Sequence, residues 1–267
     1  MNVHRQLLFV VFVAMLMLLG CKNSITHSAS YGKAYEVVVI NDIDSLLYNT
    51  LSVPMKGLPQ IEPTFDVVEI TSDKLKGDSK LVRNIVVLTI DKRQKRVDIS
   101  SKQNVYAQPQ LIINIVAPSQ SSLQIFLKKY GNELRNYLIK TELHRAQGDI
   151  ARQTNVKAAS TIYKMFGIRM QVPPELTTSK VGKNFLWLSN NASSGMVNLC
   201  IYSIGKGKFA QERDSVMRKN ILGEQKGMYM RTASIVSMVH GKYSSVTIRG
   251  LWEMQNDAMG GPFVAYW

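Results

Sequence analysis

The sequence predicts an α+β fold with mostly antiparallel sheets and helices packed on one face. Three observations support this prediction. Short β-branched runs bounded by turn residues recur along the chain, one long stretch has a helical period, and shorter helical stretches follow it. Runs of strands interrupted by a few helices are typical of α+β layers. Each half contains strands, a helix and further strands, so two ferredoxin-like halves are one interpretation.

The start of the chain has the features of a bacterial lipoprotein signal. Arg5 supplies a short positive region, and residues 7–19 form an apolar run of thirteen residues. A helix that spans a bilayer needs about 20 apolar residues, so this run has instead the length of a signal-peptide core. It ends in Gly20 and Cys21, which resemble the lipobox whose cysteine is lipidated and becomes the new N-terminus. We predict a lipoprotein signal peptide over residues 1–20 and lipidation of Cys21, with an ordinary cleaved signal as the alternative.

The segment that follows the signal bears on the location of the protein. Residues 21–33 contain no acidic residue and no apolar periodicity, which is typical of a tether. No Asp follows Cys21 directly, where it favours inner-membrane retention in enterobacteria, and no acidic cluster resembles the surface-export tag of Bacteroidota lipoproteins. Lipidation anchors a protein to the membrane through its acyl chains. We predict a cell-envelope protein anchored at the periplasmic face of the outer membrane.

Residues 34–152 are predicted to form the first α+β half. β-branched runs predict its strands at residues 34–42, 65–71, 83–91, 96–101 and 105–118. The charged residues KRQK between the third and fourth of these strands predict the tip of a hairpin. A short helix is predicted over residues 44–51, with Asp44 as its N-cap.

The most regular element of the chain closes the first half. Apolar residues recur there at steps of three and four, which is the period of one helix face. Ser121, with Gln124 three residues later, fits a capping box near its start. We predict one long helix from residue 119 to about residue 152, with a break near Gly148 as the alternative.

Residues 153–267 are predicted to form a second α+β half. Helices are predicted over residues 157–167 and 209–223, each ending on a glycine. β-branched and alternating runs predict strands at residues 168–173, 183–190, 196–205, 230–240 and 244–254. The chain stops within the strand-like run PFVAYW, whereas a domain usually ends in something polar. We therefore expect this half to be incomplete, with a pairing strand or a covering helix missing.

The charge balance of the chain is strongly basic. Lys and Arg number 33 against 19 Asp and Glu, which gives a formal net charge of +14. In a cytosolic protein this balance would suggest nucleic acid, but the predicted envelope location argues against that partner. Four cations lie within five residues, and they are Lys92, Arg93, Lys95 and Arg96. They are candidates for binding phospholipid head groups, lipopolysaccharide phosphates or peptidoglycan carboxylates, and a solvated loop is the alternative.

Motifs for metal, nucleophile and phosphate chemistry are absent from the sequence. No metal-ligand spacing connects the four histidines, which are His4, His27, His144 and His240. There is no GxSxG elbow and no complete Walker loop. Once Cys21 is lipidated, Cys200 has no partner, and its place in a strand-like run predicts a small core residue. We predict no cofactor and no metal site.

The stretch RGLWEMQNDAMGGPF, residues 249–263, holds the candidate active-site residues. Strand alternation places Arg249 and Glu253 on one side of a strand, about 13 Å apart, and Trp252 on the other. Glu253 and Asp257 are candidates for the paired acid and base of a hydrolase. The alternative interpretation makes Trp252 a core residue, leaves both acids solvated and assigns the glycines to a turn. Arg249 and Trp252 are also candidates for binding a partner.

Two short motifs in this stretch resemble a known family. Arg249-Gly250-Leu251-Trp252 and Gly260-Gly261-Pro262-Phe263 are similar to the paired RGLW and GGPF signatures of an uncharacterised lipoprotein family, a domain of unknown function, in Bacteroidota. The resemblance covers most of the mature chain and rests on these two motifs. It implies an anchored envelope protein and carries over no catalytic residue, because the family has no established activity. It also implies a further strand and a C-terminal helix, in agreement with the expected incompleteness.

Two functions of different classes follow from these observations. The leading hypothesis is a non-catalytic, lipid-anchored envelope protein that binds a partner protein or an anionic envelope polymer. The second is a periplasmic hydrolase that uses Glu253 and Asp257. The two differ in whether these carboxylates converge in one concave pocket.

Overall fold

The computed structural model describes residues 28–241 and 244–267, which form four β-sheets and four α-helices. Five of the nine strand pairs in these ranges are antiparallel, so the predicted α+β class with mostly antiparallel sheets is confirmed. No helix in these ranges has the length and apolar character that crossing a membrane requires. The predicted signal peptide and Cys21 lie outside the described residues.

The first half is built on a five-stranded sheet. The strands of this half are β1 (Ser28–Ala29), β2 (Glu36–Ile40), β3 (Asp66–Ile70), β4 (Asn84–Ile90), β5 (Asp98–Gln103), β6 (Ala107–Gln108) and β7 (Leu111–Ala117). Five of them form the sheet in the order β3-β2-β4-β7-β5, in which only β5 is antiparallel to its neighbour. β1 pairs separately with β6 in parallel, so part of the segment predicted as a tether is held against the fold.

The parallel strands distinguish this half from a ferredoxin-like unit, whose sheet is mainly antiparallel. Residues 37–40 of β2 are all buried, and they divide between the cores on the two faces of the sheet. A strand that is buried on both faces has a continuous apolar sequence, which is typical of parallel sheets. The run EVVVI has this continuous apolar sequence and therefore indicates a parallel strand. The order of strands and helices alone does not show strand direction.

Both helices of the first half pack on the same face of its sheet. α1 (Leu46–Leu51) and α2 (Gln120–Arg152) contribute leucines to one core with the strands. These leucines are Leu47, Leu51, Leu123, Leu127, Leu134 and Leu138. The predicted long helix is confirmed, and it is continuous through Gly148.

The caps of these helices differ from the predicted ones. At the start of α2 the hydroxyl of Ser119, and not that of Ser121, accepts a hydrogen bond from the amide of Ser122 (3.2 Å). At the start of α1 the carboxylate of Asp42, and not that of Asp44, accepts hydrogen bonds from helix amides. Asp44 has a left-handed backbone (φ 48°), whereas an N-cap residue is usually extended. Backbone angles therefore decide which nearby oxygen reaches the free amides.

The predicted hairpin at KRQK is wrong, because β4 and β5 are not neighbours. β7 lies between them and pairs with β4 along the whole of both strands. β7 is buried over most of its length, and β5 is exposed at every residue. The more apolar strand therefore takes the inner position, and residues 92–96 connect two strands that do not pair.

The second half consists of two antiparallel sheets of three strands, each packed against one helix. Its elements are α3 (Val156–Phe166), β8 (Thr178–Gly182), β9 (Phe185–Ser189), β10 (Asn198–Tyr202), α4 (Phe209–Asn220), β11 (Met230–His240), β12 (Val246–Met254) and β13 (Gly260–Tyr266). The sheet orders are β10-β9-β8 and β11-β12-β13. α3 packs on the first sheet and α4 on the second. Two separate sheets do not make a ferredoxin-like half either.

The predicted strand at residues 168–173 is instead a loop held against the start of α3. The amide of Val172 donates to the hydroxyl of Thr154 (2.9 Å), and its carbonyl accepts from the amide of Asn155 (2.8 Å). These bonds satisfy backbone groups that a sheet would otherwise pair.

Candidate functional site

The RGLW and GGPF motifs lie side by side on the adjacent strands β12 and β13. The register places Gly250 opposite Phe263 and Trp252 opposite Gly261. A Cβ atom at Gly250 would lie 2.7 Å from Cζ of Phe263. A Cβ atom at Gly261 would lie 3.1 Å from Nε1 of Trp252. Each motif therefore supplies the glycine that makes room for the aromatic ring of the other.

A buried arginine of α4 fixes this sheet from one side. The guanidinium of Arg213 lies 4.5 Å from the ring centre of Phe263 and donates a hydrogen bond to Oγ1 of Thr232 (3.0 Å). Arg213 was not among the predicted site residues. Its sequence signal is its spacing, because Phe209 and Met217 lie four residues to either side on the buried face of the helix.

Arg249 and Trp252 lie on opposite faces of the sheet, so they form no common site. Trp252 packs over Gly261. Arg249 is exposed and has no hydrogen bond or ion pair among the described residues. Burial, followed by the charge of Glu142, raises the pKa of Tyr35, and the guanidinium of Arg249 opposes this shift. Arg249 therefore lies close enough to the first half to act on it electrostatically.

Glu253 and Asp257, the candidate acid and base, each have a structural role. Nε of Arg231 on the neighbouring strand donates a hydrogen bond to Glu253 (2.7 Å), and the two side chains form an ion pair. The carboxylate of Asp257 accepts a hydrogen bond from the amide of Met259 (3.0 Å) within the turn between β12 and β13. Neither acid lines the crevice or the groove described below. This geometry gives the hydrolase hypothesis no support.

The cationic segment, residues 92–96, follows the carboxyl end of β4. Arg93 makes a two-point contact with Asp91 through Nε (2.9 Å) and Nη2 (2.9 Å). The hydrogen bonds from Arg93 hold the pKa of Asp91 below its usual range. The other cations of the segment are exposed and have no ion-pair partner in the part of the chain that the structure describes. These cations are Lys92, Lys95 and Arg96.

A crevice of about 390 Å³ opens at the carboxyl ends of β2 and β4, directly before the cationic segment. Its lining residues are Asn41, Asp42, Ile43, Leu88, Thr89 and Ile90. The chain passes from β2 to β3 on one side and then to β4 on the other, so the crevice lies at a topological switch point. Ligands of parallel sheets bind at such points, outside the carboxyl ends of the strands. The adjoining turn has left-handed backbone at Asn41, Asp44 and Ser45, a conformation that clusters at binding sites.

A larger groove of about 500 Å³ lies between α2 and the edge strand β5, and we call it the α2–β5 groove. Phe126, Tyr130 and Tyr137 form the wall on α2, and Ile99 and Ser101 form the wall on β5. The rings of Phe126 and Tyr130 are 4.9 Å apart, and the hydroxyls of Tyr137 and Ser101 lie within 3.3 Å. The sequence predicted the helix but not the groove, because the groove requires β5 to be at the sheet edge.

A buried charge cluster fastens α2 to the start of β4. The carboxylate of Glu142, which is 3% exposed, accepts hydrogen bonds from Arg83 (2.7 Å), Asn84 (2.7 Å) and Arg145 (2.6 Å). Both carboxylate oxygens have cationic partners, and Arg145 also donates a hydrogen bond to the carbonyl of Arg83 (3.1 Å). We assign it a structural role.

Cys200 lies in β10, and burial raises its pKa to about 11. The thiol is therefore protonated at neutral pH, and a protonated thiol is a poor nucleophile. The side chain is half-buried and lies outside the fully buried core of this half, so the predicted core position is not confirmed. Within residues 28–241 and 244–267 no group of three or more His, Cys, Asp and Glu side chains is placed to hold a metal ion.

Comparison with known families divides the chain into two parts. Residues 30–151 match the family model described as Domain of unknown function (DUF8532), and residues 155–267 match Domain of unknown function (DUF4837). No curated protein and no solved structure matches the chain. The chain is thus similar to two domains of unknown function, which meet between residues 151 and 155, and the second contains both the RGLW and GGPF motifs.

Proposed function

We propose that this protein is a lipid-anchored envelope protein of Bacteroidota that binds an anionic envelope polymer through the cationic segment, without catalysis. The observation that carries the proposal is the position of three exposed cations beside the crevice at the switch point, none of which has an ion-pair partner among the described residues. These cations are Lys92, Lys95 and Arg96. The anchor would lie at the periplasmic face of the outer membrane.

Repeated charges on both partners allow several weak ion pairs to add up to a measurable affinity. A single exposed ion pair contributes only about 0–1 kcal/mol. A polymer presents many phosphates or carboxylates, so a second and a third contact form at high effective concentration once the first is made. The net charge of +14 adds a longer-range attraction, which salt screens beyond about 8–10 Å.

The lipobox at Gly20 and Cys21 supports the anchored part of the proposal. β1 begins at Ser28, and residues 21–27 separate it from the predicted lipidated cysteine. A chain of that length spans at most about 25 Å. An anchor at Cys21 would therefore keep the protein close to a membrane surface that carries anionic head groups and glycans.

Cosedimentation with defined anionic particles tests the proposal. The probes are peptidoglycan sacculi, which carry carboxylates, and vesicles that contain phosphatidylglycerol, which carry phosphates. We expect the full chain to be retained by one of them at about 0.05 M salt and released at about 0.5 M. The variant Lys92→Ala/Lys95→Ala/Arg96→Ala is expected to bind about tenfold more weakly, since each lost contact is worth up to about 1 kcal/mol.

A matched triple variant separates the segment from the overall charge. Lys157, Lys164 and Lys183 are exposed lysines of the second half, and their change to Ala removes the same total charge. This control is expected to bind like the wild type. Equal weakening by both triple variants would show that net charge, and not the cationic segment, holds the polymer. Retention that salt does not reverse would also contradict the proposal.

A further inference from the structure

No strand within residues 28–241 and 244–267 pairs with the outer edge of β5. β5 is the last strand of the first-half sheet, all its residues are exposed, and it pairs with β7 without a register shift. An edge strand of this kind presents outward N–H and C=O groups that can pair with another strand. The sequence DISSKQ contains no proline, and no bulge interrupts it. β5 is therefore able to accept an additional strand.

The side chains of β5 separate by face. Ile99, Ser100 and Ser101 line the α2–β5 groove, and alternation places Ile99 and Ser101 on the same face of the strand. Asp98 and Lys102 alternate with them and therefore lie on the opposite face. A strand added to β5 would lie about 4.8 Å further out, with alternate side chains directed into the groove.

The wall on α2 has an apolar part and a charged part. Phe126, Tyr130, Glu133 and Tyr137 follow one another at steps of four, three and four, which keeps them on one flank of the helix. Glu133 is exposed and has no hydrogen bond or ion pair among the described residues. The tyrosines lie one helical turn to either side of it. A cation that enters the groove would thus meet a carboxylate that lies between two tyrosines on the helix surface.

We propose that the α2–β5 groove binds an extended peptide segment of a partner protein, which adds to β5 as a further strand. The peptide directs an apolar side chain towards Ile99 and Phe126 and a Lys or Arg side chain towards Glu133. Backbone hydrogen bonds to β5 supply affinity, and the alternate side chains supply specificity. The recognised pattern is an apolar residue and a basic residue two positions apart. This site is separate from the cationic segment and does not depend on the function proposed above.

Other occupants fit these features less well. An acyl chain would leave the edge of β5 and the carboxylate of Glu133 unpaired. A second copy of the chain that paired through its own β5 would bring Ile99 and Ser101 into the groove and place Lys102 on the other face. That arrangement supplies no cation to Glu133. An extended basic peptide satisfies the backbone edge, the aromatic wall and the carboxylate together.

Fluorescence anisotropy with designed peptides tests this proposal on the full chain in mild detergent. The probe is a short labelled peptide of alternating Thr and Val with one central Lys. One analogue replaces this Lys by Glu. Two others are N-methylated at odd or at even residues, which removes the backbone donors of one edge of the peptide or of the other. We expect the parent peptide to bind, and the Glu analogue and one of the two N-methylated analogues to bind about tenfold more weakly or worse. Full binding of both N-methylated analogues would overturn strand addition.

Variants of the groove locate the bound peptide. Glu133→Gln is expected to weaken the parent peptide about tenfold and to abolish the preference for Lys over Glu. Glu175→Gln, which neutralises an exposed acid of the second half, is expected to have no effect. No binding of the parent peptide, or equal binding to wild type and Glu133→Gln, would overturn the proposal. So would a dimer in sedimentation that Ile99→Lys abolishes, because a second copy would then occupy the edge.

Discussion

Phe263 lies opposite Gly250 in the β12–β13 ladder, and its ring fills the space that a side chain at position 250 would need. Trp252 and Gly261 repeat this relationship with the two strands exchanged. Each aromatic ring therefore packs over the backbone of the other motif. The joint presence of RGLW and GGPF in one chain is explained by packing, since the ring of each motif requires the glycine of the other.

Gly250→Ala is expected to lower the free energy of unfolding by about 1–3 kcal/mol, as overpacking does. The new methyl group would meet the ring of Phe263 and the carbonyl oxygen of Ser234, and a backbone atom in a ladder cannot move aside easily. Urea denaturation followed by circular dichroism measures the change. Gly148→Ala in α2 is the control, because its Cβ would meet only the end of Arg152, at 3.5 Å. It is expected to stabilise the helix by about 0.5–1 kcal/mol. Equal stability of Gly250→Ala and wild type would contradict the packing role.

The stacking of Arg213 on Phe263 is expected to appear as a coupling energy of about 1–2 kcal/mol, because the pair is largely desolvated. A double-mutant cycle with Arg213→Met and Phe263→Leu measures it by urea denaturation. Lys129 and Tyr130 form a matched exposed pair, with the ammonium 4.9 Å from the ring centre. Its cycle is expected to give about 0.5 kcal/mol. A coupling at Arg213 no larger than that of the exposed pair would show that the stack does not fix α4.

Local periodicity predicted most of the helices and strands. Which strands lie side by side depends instead on the burial of residues that are far apart in sequence. The steps of three and four located α2 to within one residue, because a helix is stabilised by contacts within its own sequence. The prediction of a hairpin at residues 92–96 was wrong because β7, which comes later in the sequence and is more apolar than β5, lies beside β4. The prediction of a strand at residues 168–173 was wrong because the backbone of this segment forms hydrogen bonds with Thr154 and Asn155.

The candidate sites also divide into those formed by contiguous residues, which the sequence predicted, and those formed by residues far apart in sequence, which it did not. The cationic segment is contiguous in sequence, so its residues were predicted, although the pairing of Arg93 with Asp91 was not. The α2–β5 groove and the Glu142 cluster join residues that lie far apart, such as Arg83 and Glu142, which are 59 positions apart. No local pattern marks such contacts. The assignment of Glu253 to catalysis overlooked its cross-strand neighbour Arg231, which the β11–β12 register supplies.

Glu142→Gln is expected to destabilise the protein by about 3–5 kcal/mol, the usual cost of leaving buried charge without its partner. The side chains of Arg83 and Arg145 are only 19% and 9% exposed, and they would face each other without the carboxylate between them. Urea denaturation at neutral pH measures the loss. Glu133→Gln on the same helix is the control and is expected to change stability by less than about 0.5 kcal/mol, because Glu133 is exposed. A similar effect in both variants would contradict the structural role of the cluster.

Cys200 is expected to make the folded state less stable at alkaline pH. Burial raises its pKa from 9.0 to about 11, so the folded protein holds the thiol proton more tightly than the unfolded chain does. Its contribution to stability is fully present below the unfolded pKa and is lost as the pH rises through about 11. Cys200→Ala should therefore lose less stability than wild type between about pH 8 and about pH 11. Urea denaturation at several pH values compares the two slopes. Tyr202, whose pKa burial raises to about 12, titrates above this range in wild type. Parallel slopes would contradict the titration of Cys200 in this range.

Cys21→Ser is expected to remove the protein from the membrane fraction of its own cells, because the proposed lipid anchor is attached through this thiol. The change leaves the apolar run of residues 7–19 intact, so the predicted export signal is unaltered. Metabolic labelling with an alkyne fatty acid, followed by fractionation, measures both lipidation and anchoring. Cys200→Ser makes the same chemical change at a half-buried position of the fold, and we expect this control to keep the label and the membrane location. An ordinary cleaved signal gives a different result, since even the wild type would then carry no label and would be released from the membrane.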